Sequence, residues 1–331
     1  MKASKSENKI TWLSVLQGWS MLLVVIGHVT LTNEFKNPAT PVSAEIERII
    51  YSFHMPLFMF ISGFLFYYTK LSKNKSFASV VKDKVKRLAV PFLFFTVCTL
   101  ILKSVFSALM KNPAELSLQA MLDIITFKSN PLAEMWFIST LFLLFFFQPL
   151  YKWSLKSVSG VLLMLCFCVL MNIFFPVGIE RFNLSNISEY IIYFYLGILF
   201  SKYNVPGYLD SKISLAACAV LFAIFNIYIK ENISILTPLV GVLFSLSLCQ
   251  RLSRHMPQLF NSFRDYTFQI FLMGIFFQIG IRFLYLKIDN ETIYPALYLT
   301  SILLGIYLPV AISLIVKKIK YPTIRGLLGL N

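Results

Sequence analysis

Apolar runs long enough to cross a lipid bilayer follow one another along almost the whole chain. Ten are read from the sequence, at residues 10–31, 48–69, 88–110, 134–151, 157–175, 188–201, 213–229, 233–250, 265–286 and 293–316. A spanning helix needs about 20 mostly apolar residues, and shorter runs such as 188–201 are accommodated by tilt or interfacial ends. Of the 331 residues 57% are hydrophobic and 14% charged. A soluble fold of that length has no interior large enough to hide so much apolar surface. A soluble enzyme, a disordered chain and a secreted disulfide scaffold are thereby excluded. The expected fold is all-α: a polytopic membrane protein of about ten transmembrane helices, forming a single integral membrane domain over residues 1–331. The first run has no small-residue cleavage site and reads as a retained helix.

The net charge is +15, from 30 Lys and Arg against 15 Asp and Glu. With the N-terminus in the cytoplasm, 21 of the cations fall on the cytoplasmic side, 7 on the opposite side, and Lys103 and Arg282 inside spans. Acids divide the other way, 4 inside and 11 outside. That asymmetry follows the positive-inside rule with both termini cytoplasmic. It accounts for the excess charge without nucleic acid, which is not an expected partner. The five cysteines, Cys98, Cys166, Cys168, Cys218 and Cys249, all lie in apolar runs and read as small buried hydrophobes. No metal is expected.

Polar groups inside a bilayer are costly, so each is a functional candidate. His28 lies near the outer end of the first span and His54 about six residues below the outer end of the second. Antiparallel neighbours would hold the two imidazoles at similar depth. Lys103, Glu134, Asn172, Glu189, Gln278 and Arg282 reach the same level from other spans, with Gln278 and Arg282 four apart on one helix face. Together they describe a polar cavity opening outward. At the inner face, residues 70–87 carry seven cations against Asp83. Lys84 and Arg87, three apart ahead of Pro91, suit a phosphate group, with anionic lipid headgroups as the plainer partner.

Residues 13–28, LSVLQGWSMLLVVIGH, resemble the opening helix of the membrane acyltransferase-3 family. Residues 53–66, FHMPLFMFISGFLF, are similar to the second helix of its fucose 4-O-acetylase-like O-acetyltransferase branch. Residues 84–91, KVKRLAVP, resemble the family's basic pair before a proline, and Trp136-Phe137-Ile138 a fourth-helix tryptophan motif. The resemblance covers about the first 145 residues by motif. It implies a ten-helix O-acyltransferase of bacterial inner membranes that takes an acyl group, usually acetyl, from cytoplasmic acyl-CoA. The acceptor would be a hydroxyl of a cell-surface glycan or lipid-linked sugar. His28 stands at the essential histidine of the family's first-helix signature, and Gln17 stands where the family has a basic residue. Eleven positions at 100° each bring Gln17 and His28 to one helix face, about 16.5 Å apart along the axis. A thioester donor would then lay its pantetheine arm along this face, with its nucleotide near Lys84 and Arg87.

Acyl transfer needs a base for the acceptor hydroxyl, support for the oxyanion and exclusion of water. His28 is the candidate base or acyl relay, and Glu134 a candidate for orienting it. His54, Trp136, Lys103 and Arg282 are candidates for the acceptor pocket or the oxyanion. Gln17, Lys84 and Arg87 are candidates for the donor. Acetyl-CoA is expected as a co-substrate, with no permanently bound cofactor. An exporter of polysaccharide or lipid-linked sugar, and a succinyl-transferring relative, are the competing readings.

Overall fold

The computed structural model describes residues 11–29, 41–105, 117–175, 181–229, 235–288 and 290–330. The orientation charges Lys2, Lys5, Lys9, Lys36, Lys111 and Lys230 lie outside them. Among the described residues the fold is helical throughout, with no strand. Among those residues six helices are long and apolar enough to cross a membrane, or seven if one bent pair counts as a single span. They correspond to the expected second, third and seventh to tenth runs, with the bent pair on the fourth. The other three runs form helices as well: α1 (Thr11–Gly27), α9 (Val158–Phe174) and α10 (Leu184–Lys202). The run read as shortest, 188–201, thus folds as a 19-residue helix that begins earlier, at Leu184.

The second run is one long helical stretch, Val42–Leu71, interrupted by a turn at residues 52–53. It forms α2 (Pro41–Tyr51) and α3 (His54–Phe66), then a π-turn at Tyr67–Leu71. Pro56 explains the break: its ring crowds the carbonyl four residues earlier, at Ser52, and it has no N–H to offer. The side chains of Ser52 and His54 take up neighbouring carbonyls instead, those of Ile49 at 2.7 Å and Ile50 at 2.9 Å. The fourth run bends by 53° between α7 (Trp136–Phe146) and α8 (Gln148–Ser154), where Pro149 enters the new helix at its first turn.

The chain divides into two compact units. The first comprises residues 1–61 and 204–311. Its helix α1 packs against α2, α12 (Leu236–His255) and α13 (Thr267–Lys287). Val15, Leu16, Met21 and Val25 on different sides of α1 are all buried, as befits an interior helix that is apolar all round. Met21, Val24 and Val25 share one apolar cluster with Phe263, Ile270 and Ile306, the last on α14 (Tyr294–Lys318). α11 (Lys212–Ile224), started by the Ser211 cap, packs on α12.

The second unit comprises residues 62–203 and 312–331. α10 packs there against α7 and α9. Phe66, Phe145, Tyr151 and Phe194 form a ring-on-ring core with centroids 4.9 to 6.4 Å apart. The basic segment folds as α4 (Phe77–Lys84), capped by Ser76, and a π-turn at Val85–Ala89 leading into α5 (Val90–Val105). Lys152 and Gln148 of α8 tie this segment down through the Lys75 carbonyl, each at 2.9 Å. Leu162, Leu163, Phe167 and Phe174 of α9 are exposed, the outward apolar face expected of a helix that meets lipid.

Candidate active site

α1 ends at Gly27, and His28 follows it in a turn. A helix leaves its last carbonyls without intrahelical donors, and here they are taken up by groups that fix His28. The Val24 carbonyl accepts from the His28 backbone N–H at 3.1 Å and from its ring Nδ1 at 3.0 Å. A carbonyl only accepts, so Nδ1 carries the proton and the neutral ring has its lone pair on Nε2. The Val25 carbonyl accepts from Gln278 Nε2 at 2.8 Å, and the His28 carbonyl accepts from Arg282 Nη2. Gln278 and Arg282 sit one turn apart on α13 and are each 2% exposed. A cation at a helix C-terminus is also favoured by the helix dipole. Gly305 of α14 makes the space: a Cβ there would lie 3.1 Å from Gln278 Cγ and 3.3 Å from Val25 Cγ1.

His54 opens α3 and is buried, with its Nδ1 likewise donating to the carbonyl four residues back, Ile50, at 2.9 Å. Tyr51 links the two imidazoles: its ring stacks on His28 at 6.2 Å and tilts against His54 at 4.8 Å. Gly27 lets α1 approach this point, since a Cβ there would lie 3.1 Å from the Tyr51 ring. Both histidines therefore have Nδ1 fixed by their own backbone, which puts the lone pair of the neutral ring on Nε2. Of the sequence candidates, this unit brings together His28, His54 and Arg282. Arg282 donates to the backbone carbonyl of His28, in the turn that carries the imidazole. Gln17 lies half-buried on α1, its carbonyl accepting from the Ser20 hydroxyl at 2.9 Å. Tyr51 was missed by the sequence reading. The only signal for it is an aromatic ring three residues before His54.

The remaining candidates belong to the second unit. Trp136 is the first residue of α7 and lines a cavity of about 380 Å³. Asn183 organises its wall. Its Nδ2 lies within hydrogen-bond distance of the Trp136 carbonyl (2.9 Å), Ser139 Oγ (2.7 Å) and Thr140 Oγ1 (2.7 Å). Asn186 donates to Asn183 Oδ1 at 2.5 Å. Phe182 and Asn183 both have positive φ, 55° and 58°, a conformation that Asn tolerates better than most residues. Tyr190 lies beside Trp136 at 5.2 Å between centroids. Neither Asn183 nor Asn186 was singled out from the sequence, because nothing in a short Asn-rich stretch foretells an inward turn. Glu134 lies in the 3₁₀ turn Ala133–Met135 that leads into α7, half-buried, and Lys103 in the last turn of α5.

Lys84 and Arg87 do not form two equivalent surface cations. Lys84 Nζ lies over the Phe145 ring, 3.6 Å from its centroid, while Arg87 is exposed. The intervening π-turn accounts for the difference, since its wider winding breaks the three-residue face of an α-helix. Asp83 is paired with Lys70.

No solved structure matches the chain. Two nodulation proteins named NolL resemble part of it. The one from Sinorhizobium fredii is 35% identical over 96 residues, which is 29% of this chain and 25% of that protein. The one from Mesorhizobium japonicum is 34% identical over 131 residues, 39% of this chain and 32% of that protein. The chain thus matches a third or less of the length of these relatives. Residues 10–315 match the Acyltransferase domain family, acyltransferase-3, over nearly the whole length. That breadth decides the assignment: the chain, with several helices long and apolar enough to cross a membrane, belongs to the Acyltransferase domain family.

Proposed function

We propose that the protein moves an acetyl group from cytoplasmic acetyl-CoA to a hydroxyl of a cell-surface polysaccharide or lipid-linked sugar, with His28 as the base. The observation that carries this reading is the fixation of His28. Its Nδ1 is held by Val24, its turn by Arg282 and the preceding turn by Gln278, which leaves Nε2 as a preoriented proton acceptor. In the reaction the acceptor oxygen forms a bond to the thioester carbonyl carbon while Nε2 takes the hydroxyl proton. The tetrahedral intermediate then collapses, the C–S bond breaks, and the imidazolium returns the proton to the departing CoA sulfur. An acyl-imidazole relay through the same Nε2 gives the same products.

Lys84 and Arg87 are proposed to hold the donor's phosphates, and Gln17 to line the path of its pantetheine arm by hydrogen bonding in place of a cation. Glu134 is proposed to orient the imidazole, and His54, Trp136, Lys103 and Arg282 to serve the acceptor or the oxyanion. Ten spans, both termini in the cytoplasm and a bacterial inner membrane as the site complete the reading. Membranes containing the protein, incubated with acetyl-labelled acetyl-CoA, are expected to label surface glycan, and His28→Ala at equal expression to abolish it. Wild-type labelling in that variant would remove His28 from the chemistry.

A further inference from the structure

The polar cavity at Trp136 has an apolar neighbour. A second cavity of about 210 Å³ shares Phe92, Ile124, Phe127 and Ser139 with it, and its remaining lining, including Leu93, Ile125 and Phe142, is apolar. Leu93 and Ile125 are 52% and 69% exposed, so this side opens outward along α5 and α6 (Leu118–Ile125). α6 itself marks a level. Leu118, Met121, Leu122 and Ile125, spaced for one helix face, are all exposed, the pattern of a helix lying in a membrane interface. The polar cavity begins just past its end, at Lys128 and Ser129. One half of the combined site therefore suits a hydroxyl-rich head and the other a hydrocarbon chain, at the depth where such a molecule's two parts would lie.

The polar half offers what a sugar ring needs. Trp136 supplies an aromatic surface backed by Tyr190. Asn186 Oδ1 and the Ser129 hydroxyl are hydrogen-bonding groups that the Asn183 network does not use. Lys128, whose ion pair with Asp123 is long at 3.9 Å, supplies a cation for a phosphate between sugar and lipid. We propose that this compound cavity binds a lipid-linked saccharide, the sugar at Trp136 and Asn186 and the first part of the lipid in the groove between α5 and α6. This narrows the acceptor of the proposed acetyl transfer and rests on that reading.

The test uses the full chain in phosphatidylcholine nanodiscs, without acetyl-CoA. The probe is a hexadecyl glucoside with a diazirine in the chain next to the sugar, and the control is a phosphatidylcholine with a diazirine in its acyl chain. The expected result is glucoside adducts concentrated on peptides containing Phe92 and Leu93 and residues 124–130. Dodecyl glucoside should compete them away, and methyl glucoside and dodecanol should not. Ser129→Phe, at an exposed position that tolerates change, and Asn186→Leu should each cut the adducts about tenfold, the loss of one good polar contact. Equal labelling by the phosphatidylcholine probe, or adducts indifferent to both variants, would overturn the proposal. Labelled acetyl transfer is measured in parallel. His28-dependent transfer without cavity adducts removes this site alone, whereas cavity adducts without transfer remove the acetyltransferase reading alone.

Discussion

At the residue scale, the site around His28 turns on who satisfies the end of α1. Gln278 and Arg282 donate to backbone carbonyls of another helix, and such bonds leave no mark in a sequence. What the sequence shows is depth and spacing, enough to place Gln278, Arg282 and His28 at one level and to group them. The partner was invisible: that Arg282 donates to the histidine's own backbone could not be read from the sequence. Removing Gln278's amide leaves a buried carbonyl without its donor, at a cost of about 1–3 kcal/mol. Gln278→Leu is therefore expected to lower the melting temperature and the turnover of acetyl transfer while leaving the KM for acetyl-CoA near wild type. Arg282→Lys, which keeps a cation at the helix end, is expected to retain more turnover than Arg282→Met at matched melting temperature. Equal loss in both would show that charge at this point has no part in holding His28.

At the element scale, the apolar runs of the sequence became helices almost everywhere, because hydrocarbon permits a spanning backbone little else. Less legible were the interruptions. Pro56 and Pro149 signal that a break is near, but not that the chain restarts at once as α3 or α8. The π-turns at Tyr67–Leu71 and Val85–Ala89 have no sequence signature at all, and the second of them separates the surroundings of Lys84 and Arg87. Close helix contacts are similarly hidden behind single glycines. At Gly63 a Cβ would run into the Phe194 backbone carbonyl of α10, whereas at Gly280 on α13 it would meet nothing within 4 Å. The two alanine substitutions should therefore differ in sign. Gly63→Ala forces helices apart, costing about 1–3 kcal/mol or more, and is expected to reduce the yield of folded protein. Gly280→Ala only restores helix propensity and is expected to gain about 0.5–1 kcal/mol. Thermal melts of the two variants in one detergent decide the matter, and a stable Gly63→Ala protein would refute the tight contact between α3 and α10.

At the scale of the whole molecule, the excess of cations has two jobs that composition alone does not separate. Some are bound to backbone. Lys202 donates to the Leu155 carbonyl at 2.6 Å, Arg264 to Pro257 and Leu259 at 2.9 and 3.0 Å, and Arg325 to Ile319 at 2.9 and 2.7 Å. These hold chain ends and turns, so they act on stability. Lys73, Lys82 and Lys86 are exposed and act, on the positive-inside argument, only on which way the chain enters the membrane. The two classes can be pulled apart. Lys202→Gln is expected to lower the melting temperature without altering orientation. The triple change of Lys73, Lys82 and Lys86 to Gln is expected to leave correctly inserted protein as stable as wild type while raising the misoriented fraction. Orientation is read from paired reporters, alkaline phosphatase for the outside and green fluorescent protein for the inside. With ten spans and a cytoplasmic start, phosphatase should be active when fused after Lys128 or Asn290, and the fluorescent protein should light when fused after Lys156 or Leu330. A phosphatase signal after Leu330 in the wild-type chain would mean an odd number of crossings. One of the helices too short or too polar to pass as a span, α1, α9 or α10, would then lie within the membrane without crossing it.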